Sequence, residues 1–230
     1  LYYMTKHKES TEECSVKGEG KTFYSLEEVK IAYNEGVIDL HAMVKVRVKI
    51  NNKYQIIDTT VGRILFNEFV PSELDFIDKL LTKKALRNVI GDVLNKCGVA
   101  KTVHFLDAIK NIGFDMAFRG GLSFNLGDVI VPEEKGSLIS SANQKVDEIK
   151  SNYQMGFITN NERYNQVIDV WTTTNARLTD IVMKNISTDK QGFNSVYMML
   201  DSGARGSKEQ IRQLSGMRGL MAKPKKSGDH

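Results

Sequence analysis

The most regular hydrophobic pattern in the chain lies between residues 132 and 187. Side chains that suit a buried seam recur there every three or four residues in two stretches, which are Leu138, Ala142, Val146, Ile149 and Tyr153, and then Tyr164, Ile168, Trp171, Asn175, Leu178 and Val182. This spacing predicts two amphipathic helices with near-heptad seams. Between them lie Gly156 and a capping box, Thr159 to Glu162, which stop one helix and start the next. We therefore expect an antiparallel coiled-coil hairpin with its tip near 155–162, projecting roughly 30 Å at about 1.5 Å per residue.

The first 70 residues predict a β-rich region. Apolar and basic residues alternate from Val44 to Ile50, which is the period of a strand that is wet on one face. Asn51-Asn52 is a turn signal, so Tyr54–Ile57 is expected to return as the second strand of a hairpin. The basic face of the first strand, formed by Lys45, Arg47 and Lys49, is either a plain solvent face or a surface for phosphate.

Further helices are predicted on both sides of this hairpin. A capping box at Ser25–Glu28 starts a helix that runs to Tyr33. An apolar face predicts helix from residue 73 onward, a glycine C-cap at Gly98 ends that run, and another helix spans about 101–118. The expected fold class is α+β: a small β-rich region, a helical region and the helical hairpin. The expected divisions are residues 1–131, 132–187 and 188–230.

Composition and charge narrow the classes of protein. The 230 residues are 41% hydrophobic and 26% charged, with a formal net charge of +4, as in an ordinary folded chain. Residues 202–226 hold seven basic residues and one acidic residue, which favours a polyanionic partner or a solvated tail. The two cysteines suit a reducing compartment. No apolar stretch is long enough to span a bilayer. Charged residues interrupt the first ten positions, where a signal peptide would be apolar. Cytosol is the expected location, and the chain reads as a piece of a longer protein.

Two positions in the helical hairpin have alternative interpretations. Phe157 and Ile158 lie in the turn, either as hydrophobic staple residues before the Thr159 cap or as an exposed knob that docks a protein partner. Asn175 lies in the seam of the second helix, where it either fixes the register or faces a polar neighbour outside the hairpin.

The last forty residues carry the most specific motifs. Residues 193–224, above all the blocks Asp201–Gly206 and Ile211–Pro224, closely resemble a segment of the bacterial RNA polymerase β′ subunit family. Further blocks match in order along the chain: Leu1–Thr5, Asp58–Arg63, Val131–Lys135, Glu162–Asn165 and Val167–Trp171. The resemblance therefore covers essentially the whole sequence.

The resemblance implies a place in a large transcribing enzyme. Residues 1 to about 131 correspond to the pore region, 132–187 to the rim helices, and 188–230 to funnel sequence that leads toward the bridge helix. Together these line the secondary channel, through which nucleotides enter and backtracked RNA leaves. The tip of the rim helices is where the family docks coiled-coil factors, namely transcript-cleavage proteins and DksA-like cofactors. The factor-docking residues expected here are Phe157, Ile158, Glu162 and Asn165.

A second set of residues is expected near the substrate. By resemblance, Arg205 reaches the triphosphate of the incoming nucleotide, Arg212, Arg218 and Lys223 belong to the same block, and Met221 lies close to the active centre. The physical chemistry agrees, because two glycines around Arg205 allow a tight turn and a guanidinium grips phosphate bidentately. The alternative is that these arginines pair with carboxylates or cap loops. The spacing of the three arginines is compatible with one side of a helix interrupted near Gly216.

The resemblance also sets limits on activity. The family binds Mg²⁺ through an aspartate motif that these 230 residues do not contain, so we expect no catalytic residue and no metal ligand here, and a catalytically inert piece. The expected partners are the β, α, ω and σ subunits, nucleoside triphosphates and the RNA 3′ end, in the cytoplasm near the nucleoid, with no membrane contact. Some relatives bind the stringent-response nucleotide through an Asn-Lys pair, and Gln166 after Asn165 makes that site doubtful. A stand-alone nucleic-acid-binding protein or protein-interaction module is the alternative.

Overall fold

The computed structural model describes residues 1–12, 14–50 and 53–221. The described residues form two compact units: those of 1–123 with 198–205, and those of 124–197 with 206–221. The fold is α+β, as predicted, with all three strands of the described residues in the first unit.

A three-stranded sheet forms the centre of the first unit. It contains β1 (Thr22–Phe23), β2 (Met43–Ile50) and β3 (Lys53–Thr60) in the order β1-β2-β3. The β1–β2 pair is parallel and the β2–β3 pair is antiparallel. Val44, Val46 and Val48 are buried, so the predicted alternation of β2 is confirmed; the predicted turn residues, Asn51 and Asn52, lie outside the described residues.

Within the described residues, four helices belong wholly to the first unit. They are α1 (Tyr2–Thr5), α2 (Leu26–Asn34), α3 (Val61–Asn67) and α4 (Lys83–Arg119). Ser25 caps α2 by accepting the Glu28 N–H at 3.2 Å. The predicted capping box is present only in this half, because the Glu28 carboxylate accepts the N–H of Tyr24 at 2.7 Å instead of that of Ser25. The α4 helix is interrupted at Gly98, where φ is 77°, so the predicted glycine end of one helix and start of another are confirmed.

The prediction that helix begins near residue 73 is wrong. Residues 71–82 are irregular, and α4 starts only after Thr82, whose hydroxyl accepts the Ala85 N–H. The Asn67 side chain brackets the backbone of Ile77, donating to its carbonyl at 2.8 Å and accepting from its N–H at 2.7 Å. Leu74 and Ile77 still pack against a buried core. Leu74 and Ile77 are thus partly buried without a helix, and at Ile77 a side chain satisfies the backbone groups in place of helical partners.

The second unit is built on a helical hairpin. Its helices are α5 (Lys135–Gln154) and α6 (Asn160–Thr188), preceded by a 3₁₀ helix at Leu126–Asp128 and followed by one at Asp189–Gly192. The two long helices pack on each other and α8 (Lys208–Ser215) packs on α6. The paired helices of the prediction are therefore confirmed. The division between the two units falls inside α7 (Ser195–Asp201).

Burial along the hairpin is uneven. The buried residues of α5 are Ala142 and Val146, and those of α6 are Asn175, Leu178, Val182 and Ile186. The seam positions nearest the tip are much more open, since Tyr153 is 39% and Tyr164 is 55% exposed. Apolar burial stabilises the hairpin mainly away from its tip.

Candidate functional site

The hairpin tip is a short turn closed by local hydrogen bonds. Gly156 has a φ of 79°, and the Phe157 N–H donates to the Asn152 carbonyl at 2.9 Å, a common way to end a helix. Thr159 then starts α6, and its hydroxyl accepts the Glu162 N–H at 3.3 Å while the Glu162 carboxylate accepts the Thr159 N–H at 2.7 Å. The predicted capping box is present in full.

Apolar side chains are exposed at this tip. Phe157 is 73% and Met155 is 64% exposed, and Ile158 is half-buried. A hydrophobic staple would pair Ile158 with the fourth helical residue, but that residue is Arg163, whose guanidinium lies 4.7 Å from the centre of the Tyr153 ring. The staple interpretation therefore lacks its apolar partner, and the large exposed ring of Phe157 is left for the docking interpretation.

The two polar residues predicted for docking differ in their surroundings. Hydrogen bonds from the backbone and hydroxyl of Thr159 lower the pKa of Glu162, so this carboxylate is engaged in capping its own helix. Asn165 is exposed, and its side chain has no hydrogen bond to any residue in the described part of the chain. Glu162 shapes the tip, whereas Asn165 is open to a partner.

Arg205 lies in a glycine turn of the first unit. Gly203 and Gly206 have φ values of 74° and 89°, in the region that residues with a Cβ avoid. The Arg205 N–H donates to the Met199 carbonyl at 3.3 Å. Its guanidinium is exposed and has no partner among residues 1–12, 14–50 and 53–221. The predicted tight turn is therefore observed, with a cation free to meet an anion.

Contacts distant in sequence hold this turn in place. The Tyr2 hydroxyl donates to Asp201 Oδ2 at 2.6 Å, and the Lys83 N–H, the first of α4, donates to the Ser202 carbonyl at 2.7 Å. The second contact satisfies one of the free N–H groups at the start of α4. Sequence reasoning missed both anchors, because nothing in the local pattern pairs Tyr2 with Asp201.

The other predicted arginines lie in the second unit. Arg212, on α8, forms an ion pair with Glu209, while its Nε is buried and has no hydrogen-bond partner among the described residues. Arg218 is exposed and follows the end of α8 at Gly216. Of the three arginines only Arg212 is helical, so the idea that they share one side of a helix is wrong: the positive φ of Gly206 and the cap at Ser207 start α8 after Arg205.

Asn175 faces this region rather than α5 alone. A cavity of about 530 Å³ is lined by Trp171, Asn175, Arg212, Arg218 and the residues around Gly219. A Cβ on Gly219 would lie 3.1 Å from Arg212 Nη2 and 3.5 Å from Asn175 Nδ2, so the chain passes very close to both side chains. Asn175 therefore lines the same cavity as Arg212, but its Oδ1 is buried without a hydrogen-bond partner among the described residues, so both interpretations of this residue stay predictions.

Two further predicted residues are near the C-terminus. Met221 is 70% exposed, and Lys223 lies outside the described residues.

A buried polar cluster that the sequence analysis overlooked holds the connection after α6. Asp128 is 5% exposed and accepts a hydrogen bond from Lys190 Nζ at 2.6 Å, which lowers the pKa of its carboxyl. Asn194 Nδ2 donates to the Asp128 carbonyl at 3.0 Å and to Asp189 Oδ2 at 2.8 Å. Asn125 and Asp128 also form a capping box, which is the sequence signal that would have found this cluster.

No three His, Cys, Asp or Glu side chains within residues 1–12, 14–50 and 53–221 are grouped so that they could hold a metal ion. No helix in that part of the chain has the length and apolar character needed to cross a membrane.

Comparison with known proteins gives consistent matches along the chain. The family model for RNA polymerase Rpb1, domain 3, matches residues 1–129, and the one for RNA polymerase Rpb1, domain 4, matches residues 158–229. Three curated relatives, each named DNA-directed RNA polymerase subunit beta', come from Bacteroides fragilis, Flavobacterium johnsoniae and Karelsulcia muelleri. They are 60%, 61% and 58% identical over 233, 232 and 231 residues, in each case 99% of this chain. The chain spans 16% of the length of these relatives.

Proposed function

The chain belongs to the β′ subunit family of DNA-directed RNA polymerases, which corresponds to Rpb1, and from this premise we propose that it forms part of the wall of the enzyme's secondary channel. Residues 1–131 form the pore section, 132–187 the rim helices and 188–230 the funnel sequence that leads toward the bridge helix. Its role is to guide nucleoside triphosphates inward and backtracked RNA outward. The match over 99% of the chain supports this placement and leaves the stand-alone alternatives without a specific observation in their favour.

The observation that carries the proposal is the unpaired guanidinium of Arg205 on its anchored turn. A cation that has no carboxylate partner among the described residues keeps its full capacity for phosphate oxygens. We propose that Arg205 contacts the triphosphate of the incoming nucleotide. Arg212 makes a weaker contribution because Glu209 already neutralises it. Arg218, Lys223 and Met221 lie further along the same sequence block and contribute in the same neighbourhood.

The hairpin tip carries the second part of the proposal. Phe157, with Ile158 beside it, docks coiled-coil proteins such as transcript-cleavage and DksA-like factors, and Asn165 adds a polar contact. An exposed aromatic ring surrounded by polar residues is typical of an anchor in a protein interface. Glu162 acts indirectly by fixing the turn that presents the ring. A stringent-response nucleotide site at Asn165 is not part of the proposal, since Gln166 provides no cation.

The remaining assignments follow from membership of the enzyme. The polymerase is a nucleotidyltransferase that works with Mg²⁺, and we propose that the aspartate motif that binds this metal in the family lies in a part of the subunit outside these 230 residues. The β, α, ω and σ subunits are the expected neighbours, and the location is the cytoplasm, associated with the nucleoid. This part of β′ acts by positioning substrate and factors rather than by supplying the reacting groups.

The substrate role is tested by Arg205→Ala in the assembled polymerase. Loss of a phosphate contact raises the apparent KM for nucleotides with a smaller effect on kcat if the contact is made equally in the ground and transition states. Arg205→Lys should restore part of the affinity, because the charge remains while the bidentate geometry is lost. Arg87→Ala, an exposed arginine of the same unit, is the matched control and should leave KM unchanged. Normal KM in Arg205→Ala would reject the substrate role.

The docking role is tested by the double change Phe157→Asp and Ile158→Asp. Binding of a secondary-channel factor should be lost while factor-free elongation continues at its normal rate, since the change lies at the hairpin tip. Ile31→Asp, at a residue that is 63% exposed on α2, controls for a general effect of an added charge. Equal factor binding by the double variant and the original enzyme would contradict the proposal.

A further inference from the structure

The outer face of the sheet carries side chains that the proposed channel function does not use. In the β2–β3 register Arg47 lies opposite Ile56, and Lys49 lies opposite Tyr54. These residues share the face opposite the buried valines of β2, because successive side chains of a strand alternate between faces. Tyr24, the residue after β1, reaches the same face, since the Arg47 guanidinium donates to its hydroxyl at 2.8 Å.

This face combines exposed rings with cations. Tyr24, Tyr54 and Ile56 are 73%, 64% and 66% exposed, a local concentration of apolar surface that a solvated sheet face does not need. The Arg47 guanidinium lies 5.2 Å from the centre of the Tyr24 ring and 4.4 Å from that of Tyr54. The guanidinium is therefore within cation–π distance of both rings.

Positive charge runs along the middle strand between those rings. Lys45 and Lys49 are exposed on either side of Arg47. Neither forms an ion pair with another residue in the described part of the chain. Among the residues of β2 and β3, Asp58 is the acidic one, and it pairs with Lys45. The net positive charge of this face thus favours a polyanionic partner. The cations occupy alternate residues of β2, which lie about 6.6 Å apart along a strand.

We propose that this surface, the tyrosine–arginine face formed by Tyr24, Lys45, Arg47, Lys49, Tyr54 and Ile56, binds single-stranded nucleic acid. Bases stack on the two tyrosine rings and the phosphates follow the cations of β2. Stacking on aromatic rings needs bases freed from a duplex, and it tolerates any base because each has a π face. The face is separate from Arg205 and from the hairpin tip in sequence, and its activity does not depend on the proposed role of either.

The test uses the 230-residue chain and a fluorescently labelled eight-nucleotide single strand, with anisotropy as the readout. Tyr54→Ala should weaken binding roughly tenfold, which corresponds to the loss of one stacked base. Tyr54→Phe keeps the ring and should bind like the original chain. Tyr164→Ala removes a comparably exposed tyrosine from α6 and should also bind normally. Since Tyr54 is exposed, circular dichroism should show an unchanged fold in all three variants.

Salt and strand type separate stacking from simple charge attraction. If three phosphates are contacted, log K should fall against log salt with a slope of about −2 for a single strand. Arg47→Lys should keep most of that slope but lose affinity, because the charge stays and the ring support is lost. A duplex of the same length should bind at least several-fold more weakly. RNA and DNA single strands are tested side by side to identify the preferred sugar.

Three results would overturn the proposal. One is equal binding by Tyr54→Ala and the original chain, with the affinity lost instead when Lys223, Lys225 and Lys226 are changed to alanine. The second is equal affinity for single strand and duplex. The third is a Tyr54→Ala effect on binding of an acidic peptide but not of nucleic acid, which would make the face a protein interface.

Discussion

The hairpin tip and the glycine turn of Arg205 both present one prominent side chain on a short turn, but they are held in opposite ways. Every hydrogen bond that shapes the tip joins residues within five positions of each other, as in Phe157 to Asn152 and Thr159 to Glu162. The turn of Arg205 depends on Tyr2, which lies 199 positions before its partner Asp201.

The difference determines what each surface tolerates. A tip made by local contacts forms whenever its two helices form, and its exposed ring can change without affecting the fold. A turn held by distant contacts places a guanidinium accurately, but any change that loosens α1 moves it as well. Positioning a cation for a substrate requires the second arrangement, since a small displacement removes a phosphate contact. A side chain that docks a protein partner does not need such accurate placement.

The largest effect that separates the two sites is expected from Met4→Ala. Met4 is fully buried on α1, the helix that carries Tyr2, so its truncation should cost about 2–5 kcal/mol in the free energy of unfolding. Urea unfolding measures this loss, and hydrogen exchange should become faster across residues 198–205. Met155→Ala at the hairpin tip, where the side chain is 64% exposed, should change stability by less than about 0.5 kcal/mol. Equal losses in the free energy of unfolding in the Met4 and Met155 variants would contradict the difference between the two sites.

Tyr2→Phe tests the contact between Tyr2 and Asp201 by removing a single hydroxyl oxygen. The lost hydroxyl donates to the Asp201 carboxylate at 2.6 Å and accepts from Lys6 Nζ at 3.2 Å, so we expect a loss of about 1.5–3 kcal/mol, typical of a hydrogen bond to a charged group. The Arg205 amide should exchange faster with solvent. Tyr164→Phe removes an exposed hydroxyl on α6 and serves as the control. Unchanged exchange at Arg205 would show that Lys83 alone holds the turn.

Thr159→Ala tests the local arrangement. The N-cap hydroxyl is lost, which typically costs about 1 kcal/mol, and amide exchange should rise at the first turn of α6 only. Thr173→Ala, in the exposed middle of the same helix, should have no such effect because it caps nothing. Faster exchange at residues 198–205 in the Thr159 variant would contradict the independence of the two sites.

The smallest expected effect is a pH dependence of the stability of the hairpin tip. The pKa of Glu162 is lowered by its hydrogen bonds to Thr159, so the stabilisation from this carboxylate is complete above its ordinary pKa of about 4.5 and is lost as the pH falls through the lowered value. Proton titration of the side chain by NMR should give the lowered pKa and a matching loss of protection at the Thr159 amide. In Glu162→Gln that acid-dependent loss of protection should disappear, and its persistence would assign it to another group.

Much of the candidate site could be predicted from the sequence, because its signals are local. The capping box at Thr159, the glycine end at Gly98 and the alternation of β2 each involve residues a few positions apart, and all three are present as predicted. The positive φ values around Arg205 likewise follow from glycines placed on either side of it. What could not be predicted is how tightly each turn is held, because that depends on partners far along the chain.

The sequence by itself determined the α+β class, the paired helices and the strand with one basic face, since hydrogen bonding within an element follows a short repeat that the side chains reveal. Only the tertiary structure decided the rest. It left residues 71–82 irregular, with the Asn67 amide satisfying the backbone groups of Ile77, and it placed Asn175 and Arg212 at one cavity. It also joined Tyr2 to Asp201 and gathered Tyr24 and Tyr54 around Arg47. Each of these outcomes depends on groups that folding brings together. Because the partners are far apart in the sequence, no repeating pattern of side chains reveals the contact.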